Sequence, residues 1–408
     1  MTQRRDDTDN GPGDGPADAP DDAAALGRRG FVASAALAAV GPVVLGGPAH
    51  AAAPAAAPGA ARAMQRGTVA RLLEIPAPGR DVRWIRQALQ IAVQLELSTI
   101  PPYLCAWWSV KDRRGEVARR LRSIVIDEMF HMGLACNMLT AVGGRPWIAG
   151  AVPAYPGPLP GGVRSELTVY LSGLTKGYVH DVMMGIEMPE NPLLRALGGP
   201  PTIGDFYDGL LDAFRDVRPD LTARGQMTER IGADALRPIT SPGDVEWAIE
   251  IIKEQGEGTS SSPQAHLAHD ALGHYYAFAE IYHGRALRRV GGLWEFTGDL
   301  VPFPEVRPMG VVPAGGWPRP AREPGRLLQH FDVRFSEMLR GLQTAWGTGD
   351  AHALDMAVKV MTQLEESAVA LMEMPLPDGS GHTYGPQFHV VHPAGGRLAT
   401  ADSGPPAH

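Results

Sequence analysis

The stretch Ile91-Ala92-Val93-Gln94-Leu95-Glu96-Leu97-Ser98-Thr99-Ile100-Pro101-Pro102-Tyr103 decides the fold. Trp84, Ala88, Ile91, Ala92, Leu95 and Thr99 recur at helical spacing, and Glu96 sits beside that seam. A second stretch, Ile124-Val125-Ile126-Asp127-Glu128-Met129-Phe130-His131-Met132, repeats the arrangement. Its apolar stripe is Leu121, Ile124, Val125, Met132, Ala135 and Leu139, with Glu128 and His131 on the seam. An unpaired carboxylate on a buried face is very costly. Helices that bury Glu and Glu-x-x-His therefore predict each other as neighbours, with a metal between them.

A second Glu-x-x-His lies downstream in Phe278-Ala279-Glu280-Ile281-Tyr282-His283. Residues three apart on a helix project from nearly the same side, so such a pair can bind one ion together. Two of these motifs plus single glutamates on two further helices make up the ligand set of di-iron and di-manganese carboxylate bundles. The predicted ligands are Glu96, Glu128, His131, Glu254 or Glu257, Glu280 and His283. His274 lies about 120° around its helix from Glu280 and reads as a core histidine or one standing behind the ligands. His266 and His269 read as exposed.

The remaining elements follow from periodicity and punctuation. Helices are expected over about 81–111, capped by Asp81 and kinked or broken at Pro101-Pro102, and over 115–142, stopped by Gly143-Gly144-Arg145-Pro146. An apolar helical segment is expected over 167–184. Glu187 just beyond it is within reach of a metal, although an interfacial or capping role is the simpler expectation. Further helices are expected over 203–217, 245–255 and 263 to about 290, then a helical hairpin over 327–346 and 351–374. Glu250, Glu254 and Glu257 share one face of the 245–255 helix, where the plain expectation is a solvated acidic face. Glu365, Glu366 and Glu373 lack histidines at useful spacing and read as surface residues. The inserts at 146–240 and 291–324 are rich in Pro and Gly, and the second has room for a few short strands.

The chain has 408 residues, a formal net charge of -8 and no basic stripe, which argues against a nucleic-acid partner. Residues 1–27 are acidic, without apolar periodicity, and read as disordered. Arg28-Arg29-Gly30-Phe31-Val32, an apolar run and Ala49-His50-Ala51 read as a twin-arginine export signal, followed by a flexible leader over 52–74. The run is too short and too rich in Ala and Gly for a membrane anchor, so no stable membrane insertion is expected after cleavage. The expected location is extracellular or the cell envelope. Cys105 and Cys136 are the two cysteines. On antiparallel helices level at Glu96 and Glu128 they fall roughly 25 Å apart, so they are expected as buried, unpaired thiols.

The order Glu, Glu-x-x-His, long crossover, Glu, Glu-x-x-His is that of a ferritin-like bundle. The predicted fold is all-α: a ferritin-like four-helix bundle with a long crossover insert and an additional C-terminal helical hairpin over 75–390, with a disordered tail over 391–408. The stretch 95–104, Asp127-Glu128-Met129-Phe130-His131, Gly143-Gly144-Arg145-Pro146, Ile186-Glu187-Met188-Pro189-Glu190 and Glu254-Gln255-Gly256-Glu257-Gly258-Thr259 carry a closer likeness. It extends to His274-Tyr275-Tyr276 through Glu280-Ile281 and to the final hairpin. Together they resemble the ferritin-like domain of iminophenyl-pyruvate dimer synthases of bis-indole biosynthesis and their bacterial relatives. The resemblance implies a non-haem iron oxidoreductase acting on a small, aromatic amino-acid-derived substrate.

On the residues themselves, the expected cofactor is two iron ions, with manganese as the alternative, and the expected partners are dioxygen, peroxide or a small-molecule substrate. Tyr103, Tyr275 and Tyr276 are close enough in sequence to stand behind the ligands, although packing is the simpler role. Iron sequestration or peroxide protection without an organic substrate uses the same ligands. A bundle that has lost its metal is the remaining alternative.

Overall fold

The computed structural model describes residues 68–189, 201–259, 262–268 and 271–391. The segments expected as a leader and an export signal over 1–51, the expected tail beyond 391 and His269 fall outside them.

A short helix α1 (Thr68–Glu74) precedes the long pair α2 (Val82–Ser109) and α3 (Glu116–Ala141). Asp81 caps α2 by accepting from the Trp84 N–H at 2.9 Å. The helix runs on through Pro101 and Pro102 rather than breaking there. Proline at 102 strips a donor from the Ser98 carbonyl, and the Tyr155 hydroxyl replaces it at 2.7 Å. A short turn joins α2 and α3, so they pack antiparallel. Cys105 and Cys136 are buried and unpaired, and burial pushes both thiols up, so neither is a ready nucleophile.

The crossover differs from expectation at its start. Residues 167–175 are not helical: Val169 pairs with Gly157, and Leu171 accepts from the Val312 N–H at 3.0 Å. Helix begins after Thr175, whose hydroxyl accepts from the Tyr178 N–H. It runs through Lys176–Tyr178, a π-helical Val179–Met183 and Met184–Glu187; this continuous run is α4. α5 (Ile203–Val217) opens with a Thr202/Asp205 capping box, and a two-residue hairpin follows, β1 (Arg230–Ile231) with β2 (Asp234–Ala235). α6 (Pro242–Glu257) has a Ser241/Asp244 capping box and ends at Gly258, φ 77°.

The helix expected over 263–290 is much shorter. Its first part is a hairpin, β3 (Gln264–Ala265) with β4 (Ala271–Leu272), and α7 covers only His274–His283. The chain folds back on itself here: a Cβ at Gly273 would lie 2.5 Å from the Gly258 nitrogen, and the Gly273 N–H bonds the Pro263 carbonyl at 2.8 Å. A third hairpin, β5 (Arg288–Val290) with β6 (Leu293–Glu295), is largely exposed.

α8 (Arg322–Thr348) and α9 (Ala351–Met372) form the predicted C-terminal hairpin. It packs on α2 and α3, where Trp108 meets Phe331 and Phe388 and the Trp346 indole donates to Asn137 Oδ1 at 2.9 Å. The segment after α9 returns along α8, with the His389 N–H on Asp332 Oδ1 at 3.0 Å and the Val391 N–H on Ser336 Oγ at 2.7 Å. Among the described residues no helix is long and apolar enough to cross a membrane.

Candidate metal centre

α2, α3, α4 and α7 converge on five buried side chains: Glu96 from α2, Glu128 and His131 from α3, Glu187 from α4 and His274 from α7. They form two groups that can each hold a metal ion, Glu96–Glu128–His131 and Glu128–Glu187–His274, in which the donor atoms lie within 4.8 Å of one another. Glu128 stands in both.

The two histidines are used in the same way. His131 Nδ1 lies 3.6 Å from Glu96 Oε2 and 4.0 Å from Glu128 Oε1, while its Nε2 is 2.6 Å from Gln255 Oε1. His274 Nδ1 lies 2.8 Å from Glu128 Oε1 and 3.8 Å from Glu187 Oε1, and Asp127 Oδ2 stands behind its Nε2 at 3.4 Å. Each ring thus turns one nitrogen toward carboxylates and backs the other with an acceptor, the arrangement that orients a metal-binding imidazole. The rings face each other, centroids 5.7 Å apart and 27° from parallel.

Each carboxylate is also held from outside. Tyr207 donates to Glu96 Oε1, Tyr103 donates to Glu187 Oε1 at 2.6 Å, and the Thr99 hydroxyl reaches Glu128 Oε2 at 2.7 Å. Burial pushes the Tyr103 and Tyr207 phenols well up, and the carboxylates beside them add to it, so both act as donors. Burial raises the Glu128 carboxyl, with the Glu187 charge adding and His274 and His131 opposing. Glu187 ends lower than usual: burial pushes it up, but its contacts with His274 and Tyr103 outweigh that. Burial alone would lower both imidazoles. Glu96 and Glu128 reverse this at His131, and Asp127, Glu128 and Glu187 reverse it more strongly at His274.

These donors fit a metal. Among the described residues, the ion-pair partners of Glu96, Glu128 and Glu187 are the two histidines alone. Both ring nitrogens of His274 are buried without a hydrogen bond of acceptable angle, despite their close contacts. Three buried carboxylates so placed lack sufficient countercharge, which an ion between them would supply. Carboxylate and imidazole donors together suit iron or manganese.

Four helices with inward-facing carboxylates and histidines identify the architecture. The fold is ferritin-like. Residues 89–283 match the family model described as Ferritin-like. The chain is similar to the crystal structure of a ferritin-like protein from Caulobacter vibrioides, at 22% identity and a TM-score of 0.53, over 74% of this chain and 97% of that one. No curated protein matches the chain.

Within this ferritin-like bundle, Glu280, His283 and Glu254 are placed differently from expectation, while Glu257, the other α6 alternative, stands beside the cluster. Glu280 is buried but turned away: its carboxylate is ion-paired with Arg120 and accepts the Leu287 N–H at 2.5 Å. His283 stacks on Phe296 at 4.3 Å and lines a surface cleft. Glu254 accepts the Leu267 N–H at 2.9 Å, whereas Glu257 lines the cavity beside Glu96, Glu128 and His131. The physical reason is the late start of α7, which brings His274 rather than Glu280 level with Glu128. Glu187, His274 and Tyr103 were visible in the sequence but assigned lesser roles, and Tyr207 gave no signal beyond its place on an amphipathic helix. Tyr275 and Tyr276 are half-buried and pack on each other at 5.2 Å, as a packing role predicts.

The cavity at the cluster has a volume of about 30 Å³ and is walled by Leu95, Leu159, Ile186, Ile203 and Ile252 together with the polar residues. A volume of that order admits a water or a diatomic molecule. Gly256 borders it, where a Cβ would lie 3.2 Å from Glu187 Oε2.

Proposed function

We propose that the protein is an exported metal-dependent oxidoreductase. It holds two ions of iron or manganese between Glu96, Glu128, His131, Glu187 and His274 and reduces dioxygen or hydrogen peroxide. The observation that carries this is Glu128, which belongs to both donor groups and so would be shared between two ions. Bound ions of this kind supply the redox chemistry; the chain holds and shields them.

Tyr207, Thr99 and Tyr103 fix one oxygen of each carboxylate and leave the remaining lone pairs to the ions. Gln255 orients the His131 ring through its Nε2, and Asp127 stands behind the Nε2 of His274. The apolar wall excludes bulk water, which strengthens every charge interaction inside. Tyr103 and Tyr207 keep their protons and so hold the carboxylates of Glu187 and Glu96 as donors. The cavity of about 30 Å³ is far too small for the aromatic substrate that the family resemblance implies, so the reactant proposed at the cluster is the small oxidant itself.

The test is metal content and metal-dependent stability. Protein purified from its export route is expected to hold about one to two equivalents of iron plus manganese. Added Fe(II) or Mn(II) at about one hundred times its Kd is expected to stabilise the fold by about 2.7 kcal/mol. Glu128→Ala with His131→Ala removes that stabilisation. If the double variant is neutral or more stable and metal has no effect on either protein, the bundle holds no metal. The small volume of the cavity also favours sequestration without turnover. Absence of peroxide or dioxygen consumption by fully loaded protein, with any reductant, selects that second reading.

A further inference from the structure

An open cleft lies on the outer side of the bundle, between α4 and α7. It has a volume of about 530 Å³ and is lined by Lys176, Gly177, His180, Asp181, Tyr282 and His283. That volume lies in the range of small-molecule sites, whereas the cavity at the metal cluster does not. An organic reductant therefore has no room beside the cluster and has room here.

We propose that this cleft binds a small aromatic carboxylic acid, and that an acid of this class bearing adjacent phenolic hydroxyls, the groups that give up two electrons, is the electron donor of the centre. The electron-donor role rests on the oxidoreductase reading above; the binding does not.

Three observations carry the proposal. First, Lys176 and His180 from α4 and His283 from α7 bring three nitrogen bases to the cleft, in a chain whose net charge is -8. Asp181 is taken by His180 Nδ1 at 2.8 Å. The Lys176 ammonium and the His283 imidazole remain to meet a carboxylate.

Second, the wall offers an aromatic face. Tyr282 lies 5.0 Å from His180, ring to ring, and His283 is held by its stack on Phe296. A flat ring can lie against such a surface.

Third, α7 links the cleft to the metal cluster. Tyr282 stands one turn beyond Phe278 on α7. The Phe278 ring is edge-on to Tyr103 at 5.1 Å, and the Tyr103 hydroxyl donates to Glu187. The cleft also borders the π-helical turn of α4, the same helix that presents Glu187. The reaction balances: one dihydroxybenzoate gives two electrons and two protons and becomes the ortho-quinone, and one hydrogen peroxide takes them, its O–O bond breaking, to give two waters.

The probe is 3,4-dihydroxybenzoate, with neutral catechol as the control, titrated calorimetrically into metal-free full-length protein. Saturable binding of the acid, weaker by at least about tenfold in Lys176→Glu and for catechol, supports the site. Absent binding, or equal binding by wild type and Lys176→Glu, overturns it. Lys176 is exposed, so the variant is not expected to unfold; His283→Ala is the second variant and is expected to weaken binding in the same direction. In metal-loaded protein with hydrogen peroxide, Lys176→Glu is expected to raise KM for the acid about tenfold with kcat kept; an unchanged KM overturns the electron-donor role. Intact metal-free binding beside no peroxide turnover with any reductant counts against the oxidoreductase reading and leaves the binding site standing.

Discussion

His274 Nδ1 lies 2.8 Å from Glu128 Oε1, and this contact sets the level at which α7 meets α3. Six residues further along α7 is Glu280, and eight residues before Glu128 on α3 is Arg120, which pairs with it. At about 1.5 Å per residue these steps are roughly 9 and 12 Å, so two antiparallel helices level at His274 and Glu128 are level again at Glu280 and Arg120. The first pairing belongs to the metal cluster and the second holds the helices together.

The two glutamates should therefore fail in different ways. Glu280→Ala takes one of two carboxylate partners from Arg120, which keeps Glu116, and leaves the Leu287 N–H without its acceptor; it is expected to destabilise the fold by about 1–2 kcal/mol, with metal affinity unchanged. Glu187→Ala removes a donor and a buried charge, and is expected to lower metal affinity with a smaller loss of apoprotein stability. Chemical denaturation of the metal-free proteins and metal titration separate the two. A loss of metal affinity in Glu280→Ala that matches the loss in Glu187→Ala would return Glu280 to the ligand set.

The phenols that hold the carboxylates make a second pair of measurements. Tyr103→Phe and Tyr207→Phe each leave a buried carboxylate oxygen without its donor. Each is expected to lower metal affinity by about 10- to 100-fold. Tyr275→Phe alters a residue outside the cluster and is expected to leave affinity unchanged. Calorimetric titration of metal into the three apoproteins checks this; equal affinities in all three would mean that the phenols only fill space.

The bundle was legible because its signals are local. Glu96 and the Glu128/His131 pair sit in long apolar stripes bounded by clear stops, and the spacing alone puts them on one face. The α8–α9 hairpin announced itself in the same way. The second half of the centre was misread because it depends on where α7 begins. Nothing in the run Pro263 to Leu272 forbids helix. What ends the option is the contact of Gly273 with Gly258, whose partners are fifteen residues apart in sequence. Once α7 starts at His274, the histidine that looked incidental faces the metal and the Glu280/His283 motif turns elsewhere. Glu187 was hidden for a related reason, since it ends a short helix with a π-helical turn that breaks the regular period. Tyr207 acts across the bundle, and no spacing rule links residue 207 to residue 96.

A separate pH dependence comes from Asp332 on α8. Burial pushes its carboxyl up from 3.8 to about 6, although the Gln387 amide and the His389 N–H donate to it. The folded state therefore binds a proton more tightly than the unfolded chain. Above pH 6 the buried charge is a penalty, and the penalty is relieved as the pH falls from 6 toward 3.8. Between pH 7 and pH 5 the wild type is expected to gain about 1.4 kcal/mol relative to Asp332→Asn. Denaturant unfolding of both proteins across that range is the measurement; parallel stability curves would show that Asp332 does not titrate there.

The final prediction sets helix stability against the centre. Gly256 is the penultimate residue of α6, and glycine in a helix is less favourable than alanine by up to about 1 kcal/mol. On propensity alone, Gly256→Ala should stabilise the protein. The added Cβ, however, would sit 3.2 Å from Glu187 Oε2, so the carboxylate must retreat by a few tenths of an ångström. Glu187 cannot do so freely, because Tyr103 holds its other oxygen and His274 stands 3.8 Å away. The variant is therefore expected to keep or gain stability as apoprotein and to bind metal about tenfold more weakly, since the displaced donor is one that the cluster needs. Thermal unfolding without metal and a metal titration give the two signs. Unchanged affinity would mean that Glu187 is not a donor, and lower apoprotein stability would mean that the space beside Gly256 is needed for packing rather than for the carboxylate.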